Sequence, residues 1–192
     1  MATRSVLSII IALLLGGLAT AASAHTGSGS AAGLTAGLGH PLLGLDHLLA
    51  MFAVGLWAAR LGGRGLWLVP LAFLGLAGTG AVVAFLLPGL PVVELAIVAS
   101  LAVLGGLLAF EVRLANVWAM ALVGFFALFH GHAHGAEAAL TGAWFGYGIG
   151  FLATTALLMA AGIAIERRLA AVSLRWVGAV VALAGGALAF GL

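Results

Sequence analysis

Apolar residues run through this chain in long blocks separated by short polar, glycine or proline breaks. Residues 41–59, 66–87, 92–110, 115–134, 143–165 and 172–191 each approach the roughly 20 residues that cross a hydrocarbon core. The breaks fall at 60–65, 88–91, 111–114, 135–142 and 166–173. Pro88, Gly89 and Pro91 mark the second as a tight turn, since a proline has no N–H to continue a helix ladder. Pro70 falls in the first turn of the second block, where the missing N–H is tolerated. The pattern predicts an all-α membrane protein with six transmembrane helices.

A shorter apolar run precedes them. Arg4, the apolar stretch 6–19 and Ala22-Ser23-Ala24 have the charge, length and small-residue site of a secretory signal peptide. On this reading residues 1–24 are removed, the mature chain begins at His25, and residues 25–192 form the transmembrane domain. The competing reading is an uncleaved first membrane helix. Residues 25–39, rich in Gly, Ser and Thr, read as a short exported arm.

Composition supports the membrane assignment. Of 192 residues 65% are hydrophobic and 6% charged, whereas a soluble domain carries about 25% charged residues. Seven arginines against five acids include no basic run and no lysine, so the positive balance is no nucleic-acid signal. The partner is a lipid bilayer. With no cysteine, disulfides, thiolate metal sites and cysteine nucleophiles are excluded, and any metal is held by N and O ligands. Thirty glycines spread through apolar runs suit closely packed helices. Gly142, Gly146 and Gly150 recur every four residues and smooth one face of the fifth span.

Arginine placement sets orientation. Arg60 and Arg64 lie in the first break, Arg113 in the third, Arg167 and Arg168 in the fifth, with Arg175 just beyond. The second and fourth breaks carry none, so the alternate, arginine-bearing breaks face the cytoplasm and both mature termini face outward. Each half of the mature chain has three spans and opens with a His/acid cluster, which points to inverted-topology halves of the kind transporters use.

Against this background the ionisable residues stand out, because at membrane depth they are costly and mark function. His40, Asp46 and His47 occupy the outer half of the first span, with the Met51 thioether one turn beyond His47; His130, His132, His134 and Glu137 lie at the outer end of the fourth; Glu94 opens the third from that same face. All six histidines, His25 included, map to the outer side. His130 and His134 are i,i+4 and share a helix face, the spacing by which two imidazoles hold one metal. His132 points nearly opposite on an unbroken helix, unless Gly131 and Gly135 let the backbone unwind. His40 precedes Pro41 and is pushed out of helical conformation, so that Pro41 starts the helix. These spacings suggest Asp46 and His47 of the first span acting with His130 and His134 of the fourth. Imidazole nitrogen suits Ni, Co, Zn and Cu, and nothing in composition or spacing selects among them.

His40-Pro41-x-x-Gly44-x-Asp46-His47-x-x-x-Met51 resembles the signature of the HupE/UreJ family of nickel/cobalt permeases. Phe129-His130-Gly131-x-Ala133-His134-Gly135-x-Glu137 resembles that family's second motif. The likeness extends along the chain: a cleavable signal followed by His25, then six spans. It implies uptake of Ni²⁺, sometimes Co²⁺, as transported ion rather than permanent cofactor, often for hydrogenase or urease maturation. With the motifs the expected metal residues become His40, Asp46, His47, His130, His134 and Glu137. His25, Met51, Glu94 and His132 are auxiliary candidates; His132 falls where the motif is open. A mature N-terminal His25 would offer its α-amine and imidazole together for capture at the outer face.

The expectation is therefore a permease in the cytoplasmic membrane, not an enzyme, with a homo-oligomer left open. No G-x-x-x-x-G-K-[ST] occurs, so energy comes from a gradient, the membrane potential or trapping inside. Uptake should fall as histidines protonate below about pH 6. Two alternatives are an intramembrane metalloenzyme using His130, His134 and Asp46, and a bis-histidine haem electron carrier.

Overall fold

The computed structural model describes residues 33–141, 143–168 and 174–190. The expected signal peptide and residues 25–32 of the expected arm, His25 included, lie outside them. The described residues form seven helices and no strand: α1 (Leu34–Leu43), α2 (Leu45–Leu61), α3 (Gly65–Leu86), α4 (Val93–Ala109), α5 (Asn116–Thr141), α6 (Trp144–Arg168) and α7 (Arg175–Ala189). Helices α3, α6 and the Asn116–Ala138 part of α5 are long and apolar enough to cross a membrane. The pair α1 and α2 makes a fourth candidate span if taken as one, while α4 and α7 are shorter apolar helices. Leu71, Leu95, Leu157 and Leu183 face outward and exposed, as side chains must where the solvent is lipid. The chain is a multi-pass helical membrane protein.

The first block is not one straight span. Its two helices meet at 84° at Gly44, whose extended φ of −90° and ψ of 114° end one helix and start the next. Of the arm expected over 25–39, residues 34–39 are in fact the body of α1. His40 is helical and Pro41 lies inside α1, not at a helix start. The local bias of a residue before proline is overridden by packing: Gly37 rests directly on the backbone of Tyr147 in α6, and the Thr154 hydroxyl donates to the Leu38 carbonyl at 2.8 Å. Pro70 likewise lies inside α3, at its sixth residue, rather than in its first turn.

The fourth span also runs past its expected end. No unwinding occurs at Gly131 or Gly135, and α5 continues to Thr141, so Glu137 sits on the same helix as the histidines. Both glycines are used for packing, pressed onto the backbone of Ala77 and Ala81 in α3. A van der Waals fit of this kind is what holds helices together where lipid removes the hydrophobic drive. The pattern repeats across the closest helix pairs, α3 with α5, α1 and α2 with α6, and α4 with α7. Gly55 lies on Met159 and Gly162 on Phe52, while Gly105 and Gly178 meet each other's helices. Gly146 and Gly150 of the expected smooth face do pack against α1; Gly142 lies outside the described residues.

The arginine-bearing breaks gather at one end. Arg60 Nε lies 2.7 Å from Glu166 Oε1, joining the C-terminal turns of α2 and α6. Arg175 Nε lies 3.8 Å from Glu111 Oε1, and the Trp57 indole donates to the Val112 carbonyl at 2.9 Å. The histidines occupy the other end of α2: His47 and Arg60 are thirteen residues apart, about 20 Å along a helix.

Candidate metal centre

The bend at Gly44 is what brings the first His/acid cluster inward. A Cβ on residue 44 would lie 2.9 Å from Asp46 Oδ1 and 3.1 Å from His47 Nδ1. Glycine leaves that space, and Asp46 fills it by turning back on the new helix end. Its Oδ1 accepts from the His47 backbone N–H at 2.8 Å and lies 2.8 Å from His47 Nδ1. An ionised carboxylate can only accept, so Nδ1 carries the hydrogen and the lone pair of His47 resides on Nε2. That Nε2 is buried without a partner.

Helix α5 supplies the other imidazoles. His130 and His134 are both buried, His130 completely. The His47 ring stands 4.8 Å from His130 and 4.4 Å from His134, and His40 stands 4.5 Å from His134, all near-perpendicular or steeply tilted. Like His47, each of the two α5 rings keeps one buried nitrogen unpartnered, Nδ1 of His130 and Nε2 of His134. Buried polar atoms in folded proteins are almost always hydrogen-bonded. Three orphaned imidazole nitrogens in one ring cluster are the chemistry of a cation site. Phe73 and Phe151 wall it with rings 5.8 Å from His130 and 4.1 Å from His134.

Above these rings lies a more accessible group. Glu137 Oε2 is 3.3 Å from His40 Nε2 and 3.6 Å from His134 Nδ1, and one donor each from His40, His134 and Glu137 falls within 4.8 Å of the others. Glu137 is half-exposed, and the Tyr147 hydroxyl holds its Oε2 by a 3.0 Å hydrogen bond. Donors at that spacing need little closure to reach an ion at about 2.1 Å. His134 touches both groups and so connects the exposed one to the buried one.

The six residues expected to bind metal therefore come together, with Asp46 committed to His47 through Oδ1. The auxiliary candidates divide. Met51 is fully buried one turn below His47, its sulfur taking the Thr155 hydroxyl at 3.2 Å. His132 points away, donating Nε2–H to the Leu87 carbonyl at 2.7 Å and capping α3. Glu94 is exposed in the first turn of α4, with no hydrogen bond or ion pair to the histidines among the described residues.

Comparison with known proteins decides the family. A model of the HupE / UreJ protein family matches residues 12–188. The chain belongs to the HupE/UreJ family. It is 46% identical over 178 residues to "Protein HupE" of Rhizobium leguminosarum bv. viciae, covering 91% of this chain and 93% of that one. No solved structure matches it. In this HupE/UreJ chain three polar residues at the centre escaped the motif reading: Ser100, Tyr147 and Thr155. Their signal was present. Tyr147 is the sole tyrosine, and Ser100 interrupts an apolar span. A neutral hydroxyl at membrane depth needs a partner as a charge does, at smaller cost.

Proposed function

We propose that this protein is a permease carrying Ni²⁺ or Co²⁺ inward across the cytoplasmic membrane through the His/Asp centre. The observation that carries the reading is the set of three buried imidazole nitrogens, His47 Nε2, His130 Nδ1 and His134 Nε2, left without partners. An incoming ion meets His40, His134 and Glu137 first and passes by way of His134 to the buried pair. Moderate binding at successive places lets an ion enter and still leave. The "HupE" name of the Rhizobium relative favours a supply of nickel to hydrogenase or urease maturation.

The same reading takes α1 and α2 as one broken span, giving six spans with both mature termini outside after signal cleavage. Collection of Arg60, Glu166, Arg175 and Glu111 at the end remote from the histidines fits a cytoplasmic face there. The helix pairing fits inverted halves: the first span packs on the fifth as the fourth packs on the second, and the third meets the sixth. Radioactive nickel uptake in cells tests the function. Wild type should accumulate nickel, and His47→Ala and His130→Ala should each lose most of it. Uptake undiminished in both variants would remove the site.

A further inference from the structure

We propose that Ser100 is a positioning residue of the metal centre, holding His130 in the tautomer that leaves its Nδ1 lone pair free for a divalent cation. The inference rests on the transport reading above and brings a further element, α4, into the site.

Ser100 is fully buried in the middle of α4. Its Oγ lies 2.6 Å from the Ile97 carbonyl oxygen, which can only accept. A hydroxyl has one hydrogen, so that hydrogen goes to Ile97. What remains on Oγ toward other groups is lone-pair density. His130 Nε2 stands 3.1 Å from it, and the contact is attractive only if Nε2 carries a hydrogen and donates. In a neutral imidazole the second nitrogen is then a bare acceptor. That nitrogen is the buried, unpartnered Nδ1.

The arrangement parallels the one on α2. His47 gives Nδ1–H to Asp46 and keeps Nε2; His130 gives Nε2–H to Ser100 and keeps Nδ1. The two rings, 4.8 Å apart and nearly perpendicular, are thus set in opposite tautomers by outer partners on different helices. Metal-binding histidines typically donate their other N–H to such a partner, which fixes the ring and raises its basicity. One partner here is a carboxylate and the other a hydroxyl relayed to a backbone carbonyl. His130 is therefore the less basic ligand of the two, the one from which an ion leaves more readily.

The assignment is tested on the full-length protein in detergent micelles, labelled with ¹⁵N-histidine. The His130 nitrogen shifts, identified by their loss in His130→Gln, should show hydrogen on Nε2 and none on Nδ1; hydrogen on Nδ1 overturns the proposal whether or not metal binds. Calorimetric titration with NiCl₂ supplies the second arm. Ser100→Ala should bind Ni²⁺ about 10–100-fold more weakly, with a mixed His130 tautomer, while Ser100→Thr, which keeps the hydroxyl, should restore both. Ser100→Ala with wild-type affinity and an unchanged tautomer also overturns it. Wild type that neither binds nor accumulates Ni²⁺ defeats the transport reading instead, and the nitrogen shifts then decide the role of Ser100 by themselves.

Discussion

At residue 44 a hydrogen in place of a methyl group decides whether Asp46 and His47 can face each other. The φ and ψ there, −90° and 114°, are open to any L-residue, so the glycine is required by its neighbours and not by its own backbone. Gly44→Ala puts a Cβ 2.9 Å from Asp46 Oδ1, at the movable end of a side chain. The fold should therefore survive, with helical circular dichroism unchanged. The Asp46–His47 contact should not, and Ni²⁺ affinity by titration should drop about 10–100-fold, as for loss of an outer-shell partner. Unaltered affinity would mean that the pair does not set the His47 lone pair. At this scale the sequence was informative about identity and silent about state. Cost at membrane depth and helical spacing singled out Asp46, His47, His130 and His134, and the resemblance to the family motifs added His40 and Glu137. Which nitrogen of each ring carries hydrogen depends on Asp46 turning back and on Ser100 arriving from another helix, neither of which spacing encodes.

Helices explain why some glycines are indispensable and others ornamental. Gly131 lies between His130 and His134 of α5, pressed onto the Ala77 carbonyl of α3. Its replacement by alanine sets a methyl against backbone, which cannot rotate away, so α3 and α5 must separate at a cost of about 1–3 kcal/mol. Gly106 in α4 has open space where its Cβ would be, and there alanine gains up to about 1 kcal/mol in helix propensity. Thermal unfolding in detergent should thus show Gly131→Ala lowered and Gly106→Ala level or raised. Ni²⁺ binding should suffer only in Gly131→Ala, because His130 and His134 ride on the displaced helix. Equal melting of the two variants would show that the close approach is not what holds α5. The i,i+4 recurrence of Gly146 and Gly150 was readable as a packing face, and the positions of helices α3 to α7 followed from apolar length, apart from the extension of α5 to Thr141. The 84° break of the first block was misread because proline and glycine rules are local. His40 is helical since Tyr147 and Thr154, more than a hundred residues away, hold α1 in place.

For the whole molecule the histidines and the arginines mark opposite ends, and the sidedness of the membrane follows from which end is which. The arginine end is closed by a pair that is itself informative: Glu166, 5% exposed, faces Arg60 at 2.7 Å. A carboxylate that deep is maintained only while its guanidinium remains beside it, and the positive-inside rule predicts that this arginine end faces the cytoplasm. Residue 90 lies in the turn beyond α3, at the end where His132 bonds to Leu87; residue 115 lies in the arginine-bearing break before α5. Both positions are exposed, and the chain has no cysteine of its own, so one introduced thiol reports one place. In intact cells stripped of the outer barrier, a membrane-impermeant maleimide should label Leu90→Cys at once. It should label Ala115→Cys only after the membrane is permeabilised. Labelling of both in sealed cells would break the six-span assignment, and the reverse pattern would invert it, placing the His40–Glu137 mouth inside. An inward mouth would make the same centre a path for export, so this one measurement fixes the direction that the permease reading requires.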